Sequence, residues 1–236
     1  MFVKVPVPSR VTALALLVVV TIACGGAASP SPSASVATSA PTASPASTAT
    51  TAPQANALTW SVDPRSKATI KVREQLVRLP SPIDALINIT GAQGAFTLNP
   101  DGSFSSNSKI SVDMTKVTTD DRQRTDSIRR DPLEVTRFRI SELVPKSTVG
   151  LTLPLPTSGE FTFKLIGDLT LHGVTKQVTF DVRATRADGK LNATATANPS
   201  WKFGDFAMQP PTSFSVLSIV DEIRMEFALV ASEVRT

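Results

Sequence analysis

The chain has 236 residues, 41% of them hydrophobic and 19% charged, with 24 Lys and Arg against 20 Asp and Glu. One cysteine and one histidine exclude an intrachain disulfide and any Cys/His metal site assembled within a single chain. No basic run with interleaved aromatics argues for a nucleic-acid partner, and no acidic loop has the spacing of a calcium hand.

Lys4 and Arg10 precede an apolar stretch from Val11 to Ala23, and Cys24 and Gly25 follow directly. A basic start, a short apolar core and small residues at the cut make a secretory signal peptide, too short to span a bilayer comfortably. A cysteine just after the cut resembles the bacterial lipoprotein signal, in which the thiol is diacylated. Thr21 stands where that signal usually has leucine. Residues 1–23 are therefore expected to be removed and Cys24 to carry the lipid, which anchors the protein outside the cytoplasm on a bacterial membrane. The competing reading is an ordinary signal peptide, or an uncleaved anchor, with an incidental cysteine. Cleavage before Cys24 takes Lys4 and Arg10 from the 24 basic residues and none from the 20 acidic ones, leaving +2.

Residues 24–57 hold almost nothing except Ala, Ser, Thr, Pro and Gly after the cysteine. Without large apolar side chains to offset the entropy of ordering the backbone, this stretch reads as a disordered tether. Residues 58–236 are long enough for one domain with a substantial core.

Period-two alternation dominates that domain. Ile87 and Ile89 alternate with polar neighbours, as do Ile110 and Val112. Between them, Asp101-Gly102 separates Phe96–Leu98 from Phe104. Thr118 to Arg124 breaks the pattern. Thr118 as N-cap with Asp121 three residues on resembles a capping box, which predicts a short helix from about Thr119 to Arg130, ended by Pro132. Alternation resumes at Phe161, Phe163 and Leu165, then at Val178, Phe180 and Val182, with His172-Gly173 in the turn between. Asp188-Gly189 leads to Leu191, Ala193, Ala195 and Ala197, and Ile223, Met225, Phe227 and Leu229 form the last row. Two-residue hairpins need positive φ, which Gly tolerates and Asp and His adopt more readily than most residues. The repeated strand, X-Gly, strand order predicts an antiparallel meander that closes into a barrel or folds into a sandwich. The small residues Ala193 and Ala195 are compatible with a cavity and equally with packing against Phe161, Phe163 or Phe227.

The run Leu165-Ile166-Gly167-Asp168-Leu169-Thr170-Leu171-His172-Gly173-Val174-Thr175-Lys176-Gln177-Val178-Thr179-Phe180 resembles the signature hairpin of the YceI-like family. Trp60-Ser61-Val62-Asp63-Pro64 with Ser66, Lys109 to Asp113, the helix residues Arg124, Asp126, Ile128, Arg129 and Leu133, Phe203-Gly204-Asp205-Phe206, and Val220-Asp221-Glu222-Ile223 are similar to further family landmarks in the same order. Two positions depart: Phe138-Arg139 stands for the family's Tyr-Pro, and Leu143 for a phenylalanine shortly after. There is no tyrosine in the chain, so no tyrosine hydroxyl is available to a ligand head group.

The resemblance implies an all-β, lipocalin-like extended antiparallel barrel of about eight strands with a short helix at a barrel end. It also implies a long apolar ligand, a polyisoprenoid or isoprenoid quinone, held in the interior. A barrel of that strand number encloses either one small ligand or packed side chains. Phe161, Phe163, Leu165, Val178, Phe180, Ile223, Met225 and Phe227 are the candidate lining. Arg124 and Arg129 are the candidate head-group contacts, although i,i+4 pairing on a solvated helix, such as Arg122 with Asp126, accounts for such arginines as well. His172 is explained by its turn, and no catalytic motif, phosphate-binding loop or dinucleotide fingerprint is present. The expectation is a binding protein and not an enzyme, without cofactor or metal, with a long-chain lipid and the membrane as partners. The alternative is a structural or stress-related envelope module with a filled barrel.

Overall fold

A computed structural model of the chain describes residues 57–234. The expected signal peptide, Cys24 and the tether through residue 56 lie outside the described residues.

Ten strands carry the architecture: β1 (Leu58–Val62), β2 (Lys67–Leu76), β3 (Ile83–Thr90), β4 (Gln93–Leu98), β5 (Lys109–Asp113), β6 (Ile140–Val149), β7 (Gly159–Leu171), β8 (Val174–Ala187), β9 (Lys190–Ala197) and β10 (Val216–Glu233). The ladder runs β1-β4-β5-β6-β7-β8-β9-β10, and β1 also pairs β10, so eight antiparallel strands close a ring. This is the expected barrel, with no sandwich.

The wall continues beyond the ring. Ala231–Glu233 of β10 pair with β1, while Val216–Ala228 pair with β2, and β3 pairs with β2. β1 and β2 are therefore two halves of one interrupted strand along β10. Ser66 bridges the interruption. Fully buried, its hydroxyl accepts from Val230 N at 2.9 Å, a donor that the chain break would leave unpaired, and donates to Val230 O at 3.1 Å, which Asp63 N also reaches at 2.8 Å. Unpaired buried backbone groups are costly, which gives the serine after Trp60–Pro64 its structural role.

Three departures from the sequence reading have physical causes. The helix α1 spans Arg122–Arg130 and is capped by Asp121, whose side chain accepts from Arg124 N at 2.8 Å. Thr118 is not the cap, because it exchanges two 2.8 Å backbone bonds with Asn88 of β3 and is held extended. Among the X-Gly turns, His172-Gly173 and Asp188-Gly189 have positive φ at both residues and join β7–β8 and β8–β9 directly. Asp101-Gly102 instead lies in a longer loop closed by Asn99 and Ser103. Finally, β2 and β6 carry no clean apolar alternation. The inward row of β2 (Ala68, Ile70, Val72, Leu76) contains Glu74, and β6 contains Pro145, tolerated because the register shifts there.

Candidate functional site

The inward rows of the ring enclose a narrow cavity of about 140 Å³, the inner chamber. Phe161, Phe163 and Leu165 of β7, Phe180 of β8, and Met225 and Phe227 of β10 supply its bulk, and Ala193 and Ala195 of β9 supply the space. Register sets this contrast, since Ala195 is paired with Val182 on one side and Phe227 on the other. The wall hydroxyls are already committed: Ser141 donates to Thr170 O at 2.8 Å and Thr148 to Gly102 O at 3.0 Å. Trp60 Nε1 is buried without an acceptor.

Beside Trp60, Arg186 occupies the inward row of β8 and is 5% exposed. Its guanidinium donates to Pro156 O at 2.9 Å and Glu233 Oε2 at 2.8 Å, and lies 5.5 Å from the Trp60 ring centre. A buried cation is held only where carboxylate and carbonyl partners replace water, and Glu233 and the Pro156 carbonyl do so here.

Toward the helix end, β2, β3 and the first half of β10 form, with α1 and the segment after Phe203–Phe206, a second cavity of about 680 Å³. Val72, Leu76, Ile83, Ile87, Ile128 and Leu133 make its apolar wall. Ile70, Leu171 and Trp201 line both cavities and stand between them. Trp201 is fixed there by backbone bonds with Ile223 at 3.0 and 2.6 Å and by edge contacts with Phe180 and Phe206. The outer rim is apolar and exposed: Val77, Leu217 and a wholly exposed Phe214 project from two segments joined by the 3.0 Å bond from Val77 N to Ser215 O.

The outer chamber also holds a charged pair. Glu74, 6% exposed, points in from β2, and Arg124 Nη1 of α1 lies 3.0 Å from its Oε1, with Asp120 at 3.7 Å on the other side of the arginine. The Glu74–Arg124 contact is ionic and not a directed hydrogen bond, so the buried Oε1 accepts none.

The approach to α1 is pinned by Asp113, which caps the 3₁₀ turn Met114–Lys116. Hydrogen bonds from the Thr115 hydroxyl, Arg139 and Thr115 N hold its carboxyl at about 2, against the ordinary 3.8. Among the described residues no group of three or more His, Cys, Asp or Glu side chains is placed to hold a metal ion, and no helix is long and apolar enough to cross a membrane.

Residues 60–231 match the family model of the YceI-like domain. The chain belongs to the YceI-like family. Two solved structures share the fold of this YceI-like domain. A polyisoprenoid binding domain from Saccharophagus degradans implicated in plant cell wall breakdown has a TM-score of 0.57 at 14% identity, covering 74% of this chain and 98% of that one. BcnA from Burkholderia cenocepacia has a TM-score of 0.54 at 17% identity, covering 72% of this chain and 99% of that one. No curated protein matches the chain.

Within this YceI-like barrel the candidate residues divide. Phe161, Phe163, Leu165, Phe180, Met225 and Phe227 meet in the inner chamber, while Ile223 and Arg124 line the outer one. Val178 is buried in the core and lines neither. Arg129 also lines neither: its Nε and Nη2 donate to Val117 O at 3.1 and 2.8 Å, tying α1 to the preceding turn and leaving it unsuited to a head group. The signature hairpin is structural at its tip. His172 Nδ1 lies 3.1 Å from Phe206 O and Nε2 lies 3.1 Å from Glu134 Oε2, while Phe138 packs on the imidazole with ring centres 4.2 Å apart. Phe138 reaches neither chamber, so the missing tyrosine hydroxyl removes nothing from either wall. Sequence reasoning missed Glu74, Trp201 and Arg186. The available signal for Glu74 and Arg186 was a charged residue on an otherwise apolar alternating row.

Proposed function

We propose that this YceI-like protein is a membrane-tethered, extracytoplasmic binding protein that encloses a long apolar lipid, a polyisoprenoid or isoprenoid quinone. The observation that carries the reading is the succession of an apolar inner chamber and an outer chamber with one apolar and one polar side, which adjoin at Ile70, Leu171 and Trp201. A chain-like ligand that passes Ile70, Leu171 and Trp201 would lie along β2 from Ala68 to Leu76, about 27 Å of strand. The outer chamber is within the size range of small-molecule sites. The inner one accepts only a slender, flexible chain, which suits the end of a hydrocarbon and not a ring system. Apolar burial at about 25 cal/mol per Å² holds such a chain without many polar contacts. The polyisoprenoid named for the Saccharophagus degradans domain supports the same class, and the exposed apolar rim at Phe214 suits uptake from a bilayer. Cys24 supplies the anchor in this reading. The test is mass spectrometry of lipid extracted from protein purified out of a bacterial host: a co-purifying isoprenoid lipid is expected. Recovery of none, together with no retention of added isoprenoid, would replace the reading by that of a filled structural barrel.

A further inference from the structure

We propose that the outer chamber selects a ligand whose polar end is uncharged and carries a hydrogen-bond donor, such as an alcohol, phenol or primary amide, and that it rejects anionic ends such as phosphate. This rests on the lipid-binding reading and narrows it to ligands whose head carries a donor, a polyisoprenoid alcohol or a quinol, since the carbonyls of an oxidised quinone only accept. The chamber has one buried polar pole, Glu74 with Arg124. An arginine in a lipid pocket invites a phosphate, but this one is already compensated, with Glu74 Oε1 at 3.0 Å and Asp120 at 3.7 Å. The charged side chains in the wall are Glu74, Asp120 and Asp121 against Arg78 and Arg124, a net charge of −1. An anion placed against Arg124 would sit within a few ångströms of a buried carboxylate, where charge repulsion is weakly screened.

The spare accepting capacity of Glu74 points the same way. Its Oε1 is buried, lies 3.0 Å from the Arg124 guanidinium and receives no directed hydrogen bond, so a carboxylate lone pair is left for a second donor. A head-group O–H or N–H fills it, while the guanidinium next to it can donate to the same head's oxygen. A hydrocarbon end satisfies neither. Trp60 Nε1, buried without an acceptor, is a donor in the wall of the inner chamber, so the reverse orientation makes an opposite prediction.

Both tryptophans of the chain, Trp60 and Trp201, line the chambers, so quenching of their fluorescence reports occupancy. The purified full chain is titrated, below micellar concentration, with geranylgeraniol, geranylgeranyl monophosphate and the chain-matched hydrocarbon. The alcohol is expected to bind at least tenfold more tightly than the phosphate and more tightly than the hydrocarbon. In Glu74→Gln the phosphate should gain at least tenfold and the alcohol should lose its lead. In Arg124→Gln, which serves equally should the first variant fold poorly, the phosphate should weaken further while the alcohol still binds. Equal binding of all three probes overturns this inference alone. So does a wild-type preference for phosphate, or a head-group preference that follows Trp60→Phe and ignores Glu74→Gln. No quenching by any probe, hydrocarbon included, overturns the lipid-binding reading and this inference with it.

Discussion

Phe227 of β10 stands directly opposite Ala195 of β9 on the wall of the inner chamber. The pair bears on how much room the ring leaves, because Ala195 stands between Phe227 and Val182 of β8. Ala195→Phe should therefore reduce isoprenoid retention several-fold while costing no more than about 1–3 kcal/mol of stability, the usual penalty for overpacking. Retention and denaturant unfolding measured on the same variant decide the matter. Unchanged retention would show that the ligand does not reach β9.

Gly173 offers a control at a residue that lines neither chamber. It sits at φ +74, and a Cβ there would come within 2.6 Å of the Phe138 ring. Gly173→Ala combines a conformation that L side chains rarely adopt with a clash, so a loss of more than about 1 kcal/mol is expected. Retention per folded molecule should not change, and a fall would mean that the hairpin acts on the site.

Acid should weaken the segment that leads into α1. The Asp113 carboxyl is held at about 2 in the folded state against 3.8 ordinarily, by the Thr115 hydroxyl first and Arg139 second. A depressed folded value means that the unfolded chain binds the proton more readily, so the stabilisation is complete above about pH 4 and is lost as pH falls toward 2. Unfolding midpoints of wild type and Asp113→Asn should differ by a constant amount above about pH 4 and converge below it. A gap that persists unchanged to pH 2 would assign the contribution elsewhere.

Cys24→Ser tests the anchor. Diacylation supplies the second chain that stable membrane attachment requires, each buried methylene adding about 0.8 kcal/mol. The serine variant should appear in the soluble fraction or accumulate as unprocessed precursor, and the wild type should label with palmitate in the membrane fraction. Soluble, unlabelled wild type would sink the proposal.

Much of the fold was legible in the chain itself because hairpins and alternation are local. His172-Gly173 and Asp188-Gly189 need only their own φ angles to turn, and the Phe161, Phe163 and Leu165 row needs only the pleat to share a face. The apolar class of the interior followed from the same rows. What the sequence alone did not reveal depends on partners far along the chain. Ser66 matters through Val230, 164 residues away, and Trp201 comes to line both chambers only where Ile223 binds it and Leu171 and Ile70 meet it. Arg124 and Arg129 look alike on the helix. Tertiary packing turns Arg129 onto the Val117 carbonyl and Arg124 into a chamber, opposite a glutamate whose own strand was hidden by that very charge. Local periodicity determines which face of an element is apolar, whereas the assignment of buried charges to one another is settled only when distant strands and the helix close around them and exclude water.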